Sequence, residues 1–159
     1  MRNSLANPRN TGEMDAAATR DFTETDRSRV IELWRDCDLL RPWNDPDLDI
    51  NRNLAVDGSV LIVAELNAHV VGAVMAGYDG HRGWINYLAV DPAQQRHSVG
   101  RLLMDRAEQH LREHGCPKIN LQIRSDNRSA SEFYERLGYF IDDVVSMGKR
   151  LLNDATPDR

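Results

Sequence analysis

The sequence predicts a mixed α/β fold, an antiparallel meander followed by alternating strands and helices, and three observations carry that expectation. The apolar runs "SVLIVAEL" and "HVVGAVMAGY" are separated only by Asn67-Ala68, a two-residue hairpin connection in which asparagine tolerates positive φ. "WINYLAV" follows the turn "YDGHRG" and extends the hairpin to at least three antiparallel strands. The second half of the chain then reads strand, helix, strand, helix, strand, and a helical crossover between two strands of one sheet imposes parallel pairing.

Each element has its own signal. After a short strand at about residues 18 to 22, Thr23 or Thr25 caps a helix on which Val30, Leu33, Trp34 and Cys37 recur at helical spacing. Pro42 breaks that helix, and Asn44-Asp45-Pro46 turns the chain into a second short one. Val99, Leu102, Leu103, Ala107 and Leu111 form one apolar stripe of a helix over 99 to 114, which stops at Gly115 and packs on the sheet. "KINLQIR" alternates Ile119, Leu121 and Ile123 as a strand. A helix over 128 to 137 stops at Gly138, and one or two strands finish the chain. The polar residues 1 to 15, with Pro8 and Gly12, read as a disordered leader ahead of a single domain over 16 to 159.

Composition narrows the function. A chain of 159 residues, 41% hydrophobic and 28% charged, suits one soluble domain with a real core. A net charge of −5 argues against nucleic acid as the main partner, so any cationic site is local. Cys37 and Cys116 lack CxxC spacing, which fits buried thiols in a reducing cytoplasm. The N-terminus has no apolar h-region, and no apolar stretch approaches the ~20 residues a span needs, so neither export nor a membrane partner is expected.

Local cationic chemistry is concentrated in "LAVDPAQQRHSVGRLLMDRAEQHL", residues 88 to 111. Gln95, Arg96, His97, Ser98 and Gly100 surround the start of helix 99 to 114 with backbone amides, cations and the positive end of its dipole, an arrangement suited to a pyrophosphate held without a metal. A capped helix with Ser98 as an ordinary N-cap explains the same residues. In "SDNRSASEFYERLGYF", Asp126 or Asn127 caps the next helix, Ala130, Phe133 and Leu137 point inward, and Asn127 and Tyr134 share another face.

Together these stretches resemble the GCN5-related N-acetyltransferases. That family's loop [Q/R]-x-x-G-x-[G/A] is matched by Gln95-Arg96-His97-Ser98-Val99-Gly100, and its N-x-x-A-x-x-[FY]-Y-x-x-L-G-[FY] by Asn127, Ala130, Phe133, Tyr134, Leu137, Gly138 and Tyr139. The resemblance covers roughly residues 18 to 152, and "CDLLRPWNDP", "YDGHRG" and "GKRL" further resemble the bacterial YpeA-type subgroup. Ser98 departs from the pattern, standing where the family usually has glycine.

The resemblance implies a GNAT-like sheet whose parallel strands splay around acetyl-CoA as co-substrate, with no metal. The pantetheine arm would pair with main chain of Leu88, Ala89 and Val90, and the pyrophosphate would rest on residues 95 to 101, Arg101 included. Asn127 would face the same ligand, and Tyr134 would protonate the departing thiolate while an amine attacks directly. The acceptor, a small-molecule or protein amine, would meet a variable wall containing Trp43 and Asp45, with Asp79 and His81 near expected strand ends; a homodimer stays open. No motif fixes the general base, for which Glu65, Asp79, His81 or a water chain would serve. The alternative reading is a CoA-binding sensor with little turnover. His110-Leu-Arg-Glu113-His114 spells H-x-x-E-H, but it fills the last turns of a helix, where histidines meet a favourable dipole, and no further acidic ligand follows in a recognisable motif.

Overall fold

The computed structural model describes residues 16 to 154, so the leader expected at residues 1 to 15 lies outside it. Five strands form one sheet in the order β1 (Ala18–Asp21), β2 (Val60–Leu66), β3 (His69–Tyr78), β4 (Gly83–Val90) and β5 (Ile119–Leu121). The first four pair antiparallel, and β4 pairs with β5 in parallel. Helices α1 (Arg27–Asp36), α2 (Pro46–Leu54), α3 (Val99–Glu113) and α4 (Arg128–Arg136) complete the expected mixed α/β architecture. No helix among the described residues is long and apolar enough to cross a membrane.

Local chemistry explains most element ends. Asn67 and Ala68 both have positive φ, 50° and 63°, the backbone of a type I′ hairpin whose twist matches the flanking strands. Thr23 precedes a 3-10 turn, Glu24–Asp26, that leads into α1, and the Asp26 carboxylate reaches back to accept from the Thr23 N–H at 2.8 Å. Pro46 opens α2 behind Asp45, whose carboxylate accepts from the Asp47 and Leu48 amides. Gly115 and Gly138, at φ 76° and 90°, follow α3 and α4 in the left-handed conformation that ends a helix.

Alternation along the strands divides the core between the two faces of the sheet. On one face Ile62, Val74, Ala76 and Ile85 meet Val99, Leu103, Met104, Ala107 and Leu111 of α3. A Cβ at Gly72 would lie 2.9 Å from Leu103 Cδ1, so this glycine lets α3 sit close on β3. On the other face Leu61, Val63, Ala73, Met75 and Ala89 meet Val30, Leu33 and Trp34 of α1 and Ile50 of α2.

Three expectations need correction. The strand expected over 118 to 124 is only Ile119–Leu121, because its pairing with β4 ends at Ile85↔Leu121. Immediately beyond, β4 bulges: its register with β3 shifts, and Tyr87 takes φ 52°. Ile85 consequently packs on the α3 face while Tyr87 and Ala89 pack on the α1 face, and the bent strand leaves β5 behind. The closing strands are missing among the described residues after α4; Phe140, Ile141, Val144, Val145 and Met147 are exposed there. Adjacent Asp142 and Asp143 and the flexible Gly148 disfavour a ladder. Side chains hold this segment instead, with Lys118 Nζ donating to Asp142, Gln122 to Ser146, and Arg150 Nη1 to the Trp43 carbonyl. Finally, Cys37 and Cys116 are partly rather than fully buried, their thiols donating to the Val90 and Lys118 carbonyls.

Candidate active site

The bulge makes an opening. Antiparallel pairing occupies one edge of β4, but its edge toward β5 is paired only from Gly83 to Ile85, so Asn86 to Val90 have no strand partner on that side. An extended amide-bearing ligand has a strand edge to pair with there. Gln95 Nε2 and the Cys37 thiol both donate to the Val90 carbonyl, fixing the strand where it leaves the sheet. Asp91 continues this anchoring: its carboxylate accepts from the Ala93 amide and from Arg29 Nη2 at 2.6 Å, which ties the loop to α1.

The loop that follows carries Arg96 and Ser98 in the left-handed region, φ 68° and 64°. Gln95 to Ser98 are exposed, α3 starts at Val99, and its first turn contains no acidic residue. Exposed amides turned by alternating backbone hand at a helix N-terminus, with Arg96 and Arg101 beside them, form a concavity suited to an anion. Gly100 lies under this loop, where an added Cβ would approach Phe133 Cζ to 3.1 Å, so α3 and α4 meet closely there and a side chain would push Phe133 aside by a few tenths of an ångström. These residues fit the pyrophosphate of CoA.

Ser98 makes no side-chain capping bond, so its left-handed backbone is not compensated by the hydroxyl. Ser98→Gly therefore removes a strain of about 1 kcal/mol and loses no internal hydrogen bond. The greater unfolded-state freedom of glycine offsets most of that gain, about 0.5–1 kcal/mol. The expected result is a nearly unchanged melting temperature with tighter acetyl-CoA binding in a calorimetric titration; weaker binding would show that the hydroxyl is a phosphate ligand.

Across the sheet edge, Tyr134 of α4 packs edge-on against Phe133 and Tyr139, with ring centroids 5.1 and 5.6 Å away. Burial pushes its phenol up to about 12, so it stays protonated throughout the neutral range. It lines a cleft together with Leu121, Gln122, Trp43, Asn86 and Tyr87. Asn127 does not enter that cleft: it is the N-cap of α4, accepting from the Ala130 amide and from the Ser129 hydroxyl.

The remaining candidates separate. Trp43, 45% exposed, lies on the cleft, whereas Asp45 is engaged in capping α2. Asp79 accepts from the Arg82 and His81 amides and from Trp84 Nε1, and these donors, the Arg82 amide foremost, hold its carboxyl below the usual range. It organises the turn before β4, and His81 is exposed in that turn, outside the cleft. Glu65 and the buried Asp26 share the guanidinium of Arg20, at 2.8 and 2.7 Å. His110 bonds the Gly58 carbonyl and His114 the His110 carbonyl. Reasoning from sequence missed Tyr87 and Asp49, whose side chains meet on the cleft wall at 2.6 Å. Asp49 lies one turn beyond Asp45, so its place on the same side of α2 was the available signal.

The chain belongs to the acetyltransferase (GNAT) family, whose model matches residues 27–139. Solved structures share the fold at low identity. A transcriptional regulator from Bacillus halodurans C-125 superposes with a TM-score of 0.69 at 23% identity, covering 85% of this chain and 99% of its own. The aminoglycoside acetyltransferase AAC(6')-Iy, bound to the bisubstrate analogue CoA-S-monomethyl-acetylneamine, gives 0.71 at 16%, covering 85% and 99%. Glucosamine-6-phosphate N-acetyltransferase from Arabidopsis thaliana gives 0.65 at 18%, covering 86% and 99%.

Proposed function

We propose that this protein transfers an acetyl group from acetyl-CoA to an amine by direct attack. The observation that carries the reading is the edge of β4 from Asn86 to Val90, which has no partner on the β5 side: its first residues, Asn86 and Tyr87, line a cleft with Tyr134, and its end precedes the phosphate-suited loop at Gln95 to Arg101. When bound, acetyl-CoA supplies an activated thioester carbonyl. Main chain of Leu88, Ala89 and Val90 aligns the pantetheine arm, and Gln95, Arg96, His97, Ser98, Val99, Gly100 and Arg101 hold the pyrophosphate. Asn127 caps the helix that presents Tyr134, and the Tyr134 phenol gives its proton to the departing sulfur. Trp43 contributes to the acceptor wall. Acceptor amines of the kinds named for the neighbours, aminoglycosides and amino sugars, fit the reading as small-molecule substrates, as do a cytoplasmic location and membership of the YpeA-type subgroup.

Acetyl-CoA at 100 times its dissociation constant should stabilise the native state by about 2.7 kcal/mol, read as a raised melting temperature. NADH and ATP should do much less. No shift at millimolar acetyl-CoA would end the proposal. A second reading, a CoA-binding sensor with little turnover, is favoured by the uncompensated Ser98 backbone and by the fold shared with a protein described as a transcriptional regulator. Release of free CoA from acetyl-CoA in the presence of aminoglycosides, amino sugars, amino acids and peptides separates the two, since a sensor releases none.

A further inference from the structure

The cleft lined by Tyr134 holds two further phenols: Tyr139, which packs on Tyr134 and donates to Glu108 on the α3 side, and Tyr87, which lies on the α1 side of the sheet. Tyr87 stacks on Trp34, with ring centroids 4.0 Å apart and planes within 14°, and donates its hydroxyl proton to Asp49 Oδ2 at 2.6 Å. Asn44 Nδ2 approaches the same hydroxyl at 3.4 Å. The backbone of Tyr87 is in the left-handed region at the β4 bulge, a conformation that a non-glycine residue adopts at a cost and that here turns the ring onto the α1 face of the sheet.

Charges around the pair leave Asp49 available. Its carboxylate is 22% exposed and lies 3.9 Å from Arg52, but that guanidinium is held closely by both oxygens of Asp154. Arg41, from the loop after α1, donates to the Asp38 and Leu40 carbonyls and only distantly to the Asp38 carboxylate. Asp45, one turn earlier on α2, is turned to its own cap. A phenol whose proton is directed at a carboxylate keeps its oxygen lone pairs as acceptors; Asn44 Nδ2 donates to Tyr87 Oη only at 3.4 Å, and an acceptor N–H can take that place.

We propose that Tyr87 and Asp49 form the relay that removes the acceptor's proton in the acetyl transfer set out above, on which this inference rests. The neutral amine attacks, the C–N bond forms, and the C–S bond breaks with its electron pair leaving on sulfur. The surplus N–H proton passes to Tyr87 Oη as the Tyr87 proton passes to Asp49 Oδ2, and Tyr134 protonates the thiolate. Asp49 then releases its proton to solvent, from which Tyr134 recovers one, so the products are the amide and free CoA. Burial, then the bond to Asp49, hold the Tyr87 phenol well above its ordinary range; it therefore works as a neutral conduit and not as a standing phenolate. Tyr87 is the catalytic residue, and Asp49 acts through it.

The test uses the full chain, acetyl-CoA and whichever amine of the panel above turns over fastest. Tyr87→Phe and Asp49→Asn each should lower kcat about 10²-fold, and the double variant little more, because one relay is broken in either case. The acetyl-CoA dissociation constant should stay within about threefold, and the melting temperature should hold, since phenylalanine keeps the Trp34 stack. Formate should restore Asp49→Ala in proportion to its concentration, which a purely structural carboxylate would not allow. Either single variant retaining its rate overturns the relay, as does a loss that formate leaves untouched. A wild type inactive on the whole panel overturns the acetyltransferase reading and the relay with it.

Discussion

Tyr134→Phe should lower turnover by about 10²- to 10⁴-fold, the range for losing a positioned general acid, while the acetyl-CoA dissociation constant changes by less than about threefold. The ring stays, so its contacts with Phe133 and Tyr139 and its share of the α3-side core are kept. Only the proton donor goes. Because burial pushes the phenol up to about 12, the wild type should show no loss of rate from Tyr134 ionisation between pH 7 and 10. Any falling limb in that interval belongs to another group. Full activity in the phenylalanine variant, with chemistry shown to be rate-limiting, would assign the acid role to solvent.

Gly100→Glu should weaken acetyl-CoA binding by at least 100-fold, about 2.7 kcal/mol. Two effects combine. The new Cβ meets Phe133 at 3.1 and 3.2 Å, so α4 must yield by a few tenths of an ångström. The carboxylate then adds negative charge at a helix start that has no acidic residue, close to where the pyrophosphate should lie. Gly100→Ala separates them, since it brings the steric term alone and should cost only a fewfold in affinity. Isothermal titration of both variants, with melting temperatures to confirm folding, measures the difference. Equal affinity in Glu and Ala variants would move the phosphates away from this helix.

Local determinants and the parallel pairing across α3 were legible in the sequence; how far that pairing extends was not. The Asn67-Ala68 turn, the Pro46 start of α2 and the stops at Gly115 and Gly138 depend on single-residue backbone preferences and appear where they were expected. The length of β5 depends on a bulge in β4 that "WINYLAV" does not announce, because its alternation reads smoothly through Tyr87. Motif matches marked Tyr134 and the loop at 95 to 100 as candidates. The Tyr87–Asp49 contact joins residues 38 apart in sequence and became visible only in three dimensions. Asp45 and Asp79 illustrate the reverse case, in which carboxylates attractive as substrate ligands are taken up by backbone amides of their own turns.

The sheet also acts as a partition. The helix that begins at the phosphate-suited loop is seated on one hydrophobic face, and the helices that bear Asp49 and border Trp43 on the other, with no shared side-chain core between them. Under the proposed function, substitutions among the buried Val30, Leu33, Trp34 and Ile50 would shift α1 and α2, and with them the cleft residues Trp43 and Asp49, while the packing of Leu103, Met104 and Leu111 beneath α3 stays as it was. A lineage carrying this arrangement can drift in what it acetylates without relearning how to hold the acetyl donor, and the α1–α2 face is where such divergence should accumulate.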